Sequence, residues 1–251
     1  MSRFLSIALL VSVFLVAATP LRAAPESEST VLITGANRGI GLEMARQFSE
    51  AGYQVIGTAR RPAEAAELNA LSVQVEQLDV TDQSSVDSLA ARIKDESIDL
   101  LINNAGVSGH SADSFMTTDF NEIAYTFDVN SLGPMRVTQS LLDNLAAGDG
   151  KTIVHISSVM GSIAENQGGY YGYRASKAAL NMLNKSLSAE LGPQGYVCIV
   201  MHPGWVKTRM GGGAAPVEPE ESVAGMRAVI EKLVPADNGR FLNYKGEEIP
   251  W

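Results

Sequence analysis

Short apolar runs alternate with stretches of helical periodicity along most of this chain. The runs at 30–34, 54–58, 73–78, 100–103, 152–156, 197–202 and 240–243 read as strands. Between them, 39–51, 84–93, 118–129, 131–145, 173–190 and 220–233 read as helices, with Thr81 or Asp82 as the cap of the second. Continuous apolar strands separated by helices predict a parallel sheet covered on both faces. Right-handed crossovers make this an α/β fold, a doubly wound parallel sheet of Rossmann type in a single domain at 30–251. Such sheets bind ligands beyond the C-terminal ends of their strands, and the chemistry-bearing segments of this chain fall at those ends.

The first residues follow another pattern. Arg3 precedes an apolar stretch at 4–18, small residues with Pro20, Ala23 and Ala24 follow, and Pro25-Glu26-Ser27-Glu28-Ser29 is polar. A positive start, an apolar stretch and small residues describe a secretory signal peptide at 1–24 and a linker at 25–29. The apolar stretch is shorter than the roughly 20 residues of a membrane span. Arg22 interrupts the cleavage pattern, so an uncleaved anchor touching the membrane through 4–18 is the competing expectation. Either way the charge bias predicts an exported, periplasmic, secreted or lumenal protein, or one anchored by its N-terminus.

Composition narrows the function. With 251 residues and a net charge of −9, the chain has one domain's worth of core and no basic field for nucleic acid. Its one cysteine, Cys198, lies in an apolar strand run, which excludes an internal disulfide and points to a buried thiol. His110, His155 and His202 are scattered without metal-ligand spacing, so no metal is expected.

After the first strand comes Thr34-Gly35-Ala36-Asn37-Arg38-Gly39-Ile40-Gly41. Gly35 suits a tight turn, Gly39 lets backbone N–H groups approach a pyrophosphate, and Gly41 allows close helix packing. Asp79-Val80 ends the third strand, where a carboxylate can accept from an adenine amino group, and Asn103-Asn104-Ala105-Gly106 ends the fourth. The second strand ends Thr58-Ala59-Arg60-Arg61, with no acidic residue to bond a ribose diol. Arg60 or Arg61, with Arg38, suits a 2′-phosphate instead, which predicts NADP(H) in preference to NAD(H).

Tyr173-Arg174-Ala175-Ser176-Lys177 sets a phenol and an ammonium one helical turn apart. A phenol works as acid or base near neutrality only beside a cation. Tyr171 has Ala175 at the corresponding position and Tyr170 has Arg174, so Tyr173 is preferred. Ser157-Ser158 follows the strand at 152–156 and supplies a hydroxyl to a substrate oxygen.

In this order, these elements resemble the short-chain dehydrogenase/reductase family. The resemblance rests on 34–41, 103–106, Asn130, Ser158, 173–177 and Pro203-Gly204, and it spans 30–251. The segment 171–182, the stretch 239–244 and Pro250-Trp251 are similar to the sniffer-like and C-factor-like carbonyl reductases. The resemblance implies that Tyr173 exchanges a proton with a carbonyl or alcohol oxygen while Ser158 orients it. It implies that Lys177 lowers the phenol pKa and bonds the nicotinamide ribose, and that Asn130 holds a water leading to solvent. Asn103 and the glycine turn would hold the cofactor. Pro203, Gly204, Val206 and Thr208 would run past the nicotinamide. A homo-oligomer through helices near 131–145 and 173–190 is also implied.

The segment between Ser158 and Tyr173 is longer than in many members, which keeps Ser157 as a rival. Gly211-Gly212-Gly213-Ala214-Ala215 predicts a short, flexible lid and broad specificity for small carbonyl or alcohol substrates. Two expectations follow: an NADP(H)-dependent carbonyl reductase, or a catalytically weak nucleotide-binding regulatory protein. Export fits the second better, because NADPH is chiefly cytosolic. A sugar epimerase or dehydratase would need a longer C-terminal substrate region than this chain has.

Overall fold

Seven strands, β1 (Thr30–Ile33), β2 (Gln54–Ala59), β3 (Gln74–Gln77), β4 (Leu100–Asn103), β5 (Thr152–Ile156), β6 (Val197–His202) and β7 (Phe241–Asn243), form one sheet. Their order is β3-β2-β1-β4-β5-β6-β7, and every neighbouring pair is parallel. The computed structural model describes residues 29–109 and 114–251. The expected leader at 1–24, its membrane-contact stretch at 4–18, linker residues 25–28 and His110 lie outside the described residues. Among the described residues no helix is long and apolar enough to cross a membrane.

The helices are α1 (Gly39–Glu50), α2 (Ala66–Asn69), α3 (Gln83–Arg92), α4 (Phe120–Phe127), α5 (Gly133–Ser140), α6 (Leu142–Ala147), α7 (Tyr171–Leu191) and α8 (Pro219–Ile230). On one face of the sheet, Val31, Ile33 and Val154 pack with Phe48 of α1 and Met226 of α8. On the other, Leu32, Leu101 and Ile153 pack with Leu89 of α3 and Val137 of α5. Alternate strand residues thus feed opposite layers, as the two-residue strand period requires.

Three local features differ from the sequence expectation. Asp82, not Thr81, caps α3 by accepting from Ser84 N at 2.9 Å, while Thr81 donates through N and Oγ1 to Asp79 Oδ1. The helices expected at 118–129 and 131–145 join through a π turn, Asp128–Leu132, before the path breaks at Leu141. The wider turn aims Val129, Asn130 and Ser131 into the interior. Finally, α7 starts at Tyr171 because Tyr170 takes a left-handed conformation (φ 48°, ψ 42°) that ends the preceding loop.

The strand order reverses between β1 and β4, and a cleft of about 940 Å³ opens past the ends of these strands. This is the ligand position that the topology dictates.

Candidate active site

One end of the cleft is made by the turn after β1. Gly35 has φ +65°, and a Cβ there would lie 2.9 Å from Ala105 Cα. A Cβ on Gly41 would strike the Gly35 carbonyl and Asn104 Nδ2, so helix, turn and the β4 end are packed to backbone contact. Thr58 Oγ1 accepts from Gly35 N at 3.3 Å, and Thr34 Oγ1 accepts from Asn104 N and Ala105 N at 3.0 Å each. Asn104 Nδ2 donates to the Thr34 and Gly35 carbonyls at 2.9 and 3.1 Å. The N-terminus of α1 faces the cleft through Gly39, Ile40 and Gly41, and its preceding residue, Arg38, offers no side-chain cap. Those free N–H groups form a site for an anion.

Asn37, Arg38, Arg60, Arg61, Asp79 and Val80 all line this half of the cleft. Arg61 is engaged: its Nη1 lies 3.2 Å from Glu64 Oε2. Arg38 and Arg60 make no ion pair among the described residues. Asn103 departs from its expected place. Its amide is buried and donates to Thr138 Oγ1 at 3.1 Å, away from the cleft. The neighbouring Asn104 faces the cleft instead, because successive residues at a strand end point to opposite sides.

At the other end, Tyr173 and Lys177 of α7 meet Ser158 after β5. Ser158 lies beside the Tyr173 phenol and acts on its ionisation, while the Ser158 Oγ accepts from Met160 N at 3.2 Å. Of the two serines it is the rival Ser157 that lines the cleft, yet its hydroxyl is engaged, donating to Asn181 Oδ1 at 2.6 Å; Ser158 stands just behind the lining. Tyr170 and Tyr171 stand at the surface, the latter in edge contact with Phe115 at 6.0 Å. Lys177 Nζ donates to the Ile156 carbonyl at 2.8 Å and lies 5.9 Å from the Tyr173 ring centre.

Burial governs the electrostatics. It pushes the Tyr173 phenol above its ordinary value, with Ser158 opposing. It lowers Lys177 to about 8. The expected lowering of the phenol by Lys177 is not what governs it here: burial sets the direction, and it is upward. A phenol kept protonated at neutral pH is ready to donate.

Asn130 is fully buried in the π turn. Its Oδ1 accepts from Val107 N at 2.9 Å, and its Nδ2 donates to Val107 O at 2.8 Å and Ser176 Oγ at 3.0 Å. Both amide protons are thus engaged in bracing the β4 extension against α7, so the side chain can meet a water only as an acceptor. A Cβ on Gly106 would lie 3.2 Å from Asn130 Oδ1 and 3.7 Å from Lys177 Nζ, so a glycine leaves the floor of the cleft open between them.

Pro203 and Thr208 line the cleft, whereas Gly204 and Val206 do not. Val206 is buried and pairs with Val217. The segment expected to be a flexible lid is tied down: Trp205 Nε1 donates to Gly211 O at 2.8 Å, and Lys207 pairs with Glu218 at 2.8 Å. Its tip is open, since none of the described residues lies within 4 Å of a Cβ placed on Gly212 or Gly213. Sequence reasoning also passed over Thr34, Thr58, Tyr125, Arg209 and Met210. The threonines carried a signal, since each ends a strand beside the glycine turn. The other three have no motif.

The glycine contacts, the helix N-terminus, the two arginines without ion pairs and the buried lysine fit a nicotinamide dinucleotide. The volume lies at the upper end of the ~300–1,000 Å³ usual for ligand clefts. Comparison with known proteins agrees. C-signal of Myxococcus xanthus is 48% identical over 155 residues, 61% of this chain and 93% of that protein. The carbonyl reductase Sniffer of D. melanogaster superposes with a TM-score of 0.84 at 33% identity, covering 89% of this chain and all (100%) of that one. An NADPH-bound carbonyl reductase from chicken fatty liver gives 0.82 at 34% identity, over 88% and 98% of the two chains. Residues 29–218 match the family described as short chain dehydrogenase. The chain, its seven-stranded parallel sheet included, belongs to the short-chain dehydrogenase/reductase family.

Proposed function

We propose that this protein is an NADP(H)-dependent oxidoreductase that interconverts an aldehyde or ketone and its alcohol. The observation that carries this reading is that Tyr173 and Lys177 line the far end of a cleft that begins at a dinucleotide turn, with Ser158 beside the phenol. In reduction, Tyr173 donates its phenolic proton to the carbonyl oxygen, and Ser158 bonds the same oxygen as negative charge develops. A nicotinamide bound in the cleft would supply the hydride that completes the alcohol. Lys177 holds a ribose hydroxyl and re-supplies the proton through a water at Asn130, using Oδ1 or the main chain. Arg38 and Arg60 bond the 2′-phosphate, so NADP(H) is preferred and NAD(H) is the weaker alternative. The NADPH carried by the avian relative supports that preference.

The test is NADPH and NADH oxidation by the purified protein against aldehydes, ketones and quinones, with Tyr173→Phe and Ser158→Ala alongside. NADPH-dependent turnover should vanish in the first variant and fall about a hundredfold in the second. Undiminished turnover in Tyr173→Phe would refute the mechanism.

The similarity to C-signal favours a second reading, a regulatory protein that binds the nucleotide and turns over little. Tight NADPH binding with no reduction across the whole panel would select it. The expected exported or anchored location suits this reading, and fractionation of cells producing the full chain tests that location.

A further inference from the structure

The edge strand β7 is followed by a return that reaches the active-site serine from behind. After Asn243 the chain turns, with Asn243 Oδ1 accepting from Lys245 N at 2.9 Å and Glu247 N at 3.0 Å. It then runs antiparallel to β7: Leu242 pairs with Glu248, and Ile249 N donates to Phe241 O at 2.8 Å. Ile249 joins Phe241 and Val200 in a small buried cluster of its own, and Val159 packs against that cluster. Val159 is the residue next to Ser158. Beyond it, the Trp251 ring lies 5.4 Å from Phe241 and under Lys185 Nζ at 5.5 Å, and its carbonyl accepts from Ala164 N at 3.1 Å.

Between these contacts sits the 3₁₀ turn Val159–Gly161, capped by Ser158 Oγ accepting from Met160 N at 3.2 Å. Its other side rests on α7. A Cβ on Gly161 would lie 2.8 Å from the Lys177 backbone, and Asn181 Nδ2 donates to Gly161 O at 3.3 Å. The turn that presents Ser158 is thus held between α7, which carries Tyr173, and the return, which carries Ile249 and Trp251.

We infer that Ile249 and Trp251 are positioning residues for Ser158: the 247–251 return presses the serine turn against α7 and so sets the Ser158–Tyr173 distance. The inference rests on the reductase reading. Its effect is local, because the dinucleotide turn at 34–41 lies at the opposite end of the cleft and shares none of these contacts. Loosening the return frees the serine turn and weakens a bond needed when charge develops on the substrate oxygen. That loss appears in kcat and not in cofactor affinity.

The experiment compares the full chain with Trp251→Ala, Ile249→Ala and Trp251→Phe. It measures NADPH affinity by nicotinamide fluorescence, and kcat and KM on 4-nitrobenzaldehyde. The two alanine variants should lose about tenfold in kcat with NADPH affinity within about twofold of the parent. Trp251→Phe, which retains a ring against Phe241, should recover most of the loss. Parental kcat in both alanine variants overturns the inference while leaving the reductase reading intact. NADPH affinity falling in step with kcat also overturns it, since the return would then act on the whole fold. A parent chain that binds NADPH and reduces no carbonyl compound overturns the reductase reading and takes this inference with it.

Discussion

Lys177 donates to the Ile156 carbonyl at 2.8 Å, so the ammonium is moored to the same strand that delivers Ser157 and Ser158. This mooring fixes where the cation sits at the cost of its solvation.

The cost predicts how stability varies with pH. Lys177 titrates at about 8 in the fold against 10.5 in the open chain, because burial disfavours its charged form. Between those values the unfolded chain binds the extra proton, so this group's contribution rises with pH across that window. The depression corresponds to about 3 kcal/mol. Lys177→Met should therefore be no less stable than the parent at pH near 7, and the parent should gain on it from about pH 8 to 10.5. Tyr173 and Cys198 oppose this trend in both proteins, so the difference between their denaturation curves isolates the lysine. A difference independent of pH would show that the buried charge carries no penalty.

His155 predicts the acid side. It is fully buried, both ring nitrogens lack a partner among the described residues, and burial followed by the Lys177 charge holds it down to about 3. Stability from this depressed value is complete above about 6.5 and is lost as pH falls toward 3, because only the unfolded chain takes up the proton there. His202, held to about 4 by burial, acts in the same direction. His155→Leu should be at least as stable at neutral pH and should lose stability less steeply below pH 6.5. Equal acid unfolding midpoints in parent and variant would remove His155 from the account.

The arginines at the adenosine end are unequal. Arg61 is paired with an exposed Glu64, whereas Arg38 and Arg60 have no ion-pair partner among the described residues. Replacing Arg60 by alanine should weaken NADPH about tenfold to a hundredfold and leave NADH unchanged, the loss of one charge-assisted bond. Arg61→Ala should cost less, and Glu64→Ala should tighten NADPH by freeing the guanidinium. The ratio of KM values for the two cofactors in each variant decides this.

The sheet was legible because buried parallel strands are short, continuous and apolar: Val31-Leu32-Ile33 and Val197-Cys198-Ile199-Val200-Met201 admit little else. The pairing of Tyr173 with Lys177 was legible because they are one helical turn apart. The π turn was not, since an extra residue in one helical turn leaves no mark on the polar pattern of Asp128-Val129-Asn130. Choosing between Asn103 and Asn104, or between Ser157 and Ser158, needs the direction of a single side chain, and adjacent identical residues hide it. The grip on the lid was invisible for another reason. Trp205 to Gly211 and Lys207 to Glu218 are pairings across a loop whose composition reads only as glycine-rich.

Cys198, the one thiol of the chain, lies fully buried in β6, and burial pushes it up to about 12. Such a thiol offers no thiolate to an oxidant, and it has no second cysteine in the chain with which to close a bridge. Formation of this domain therefore closes no internal disulfide, and once folded its thiol is shielded in reducing and oxidising surroundings alike.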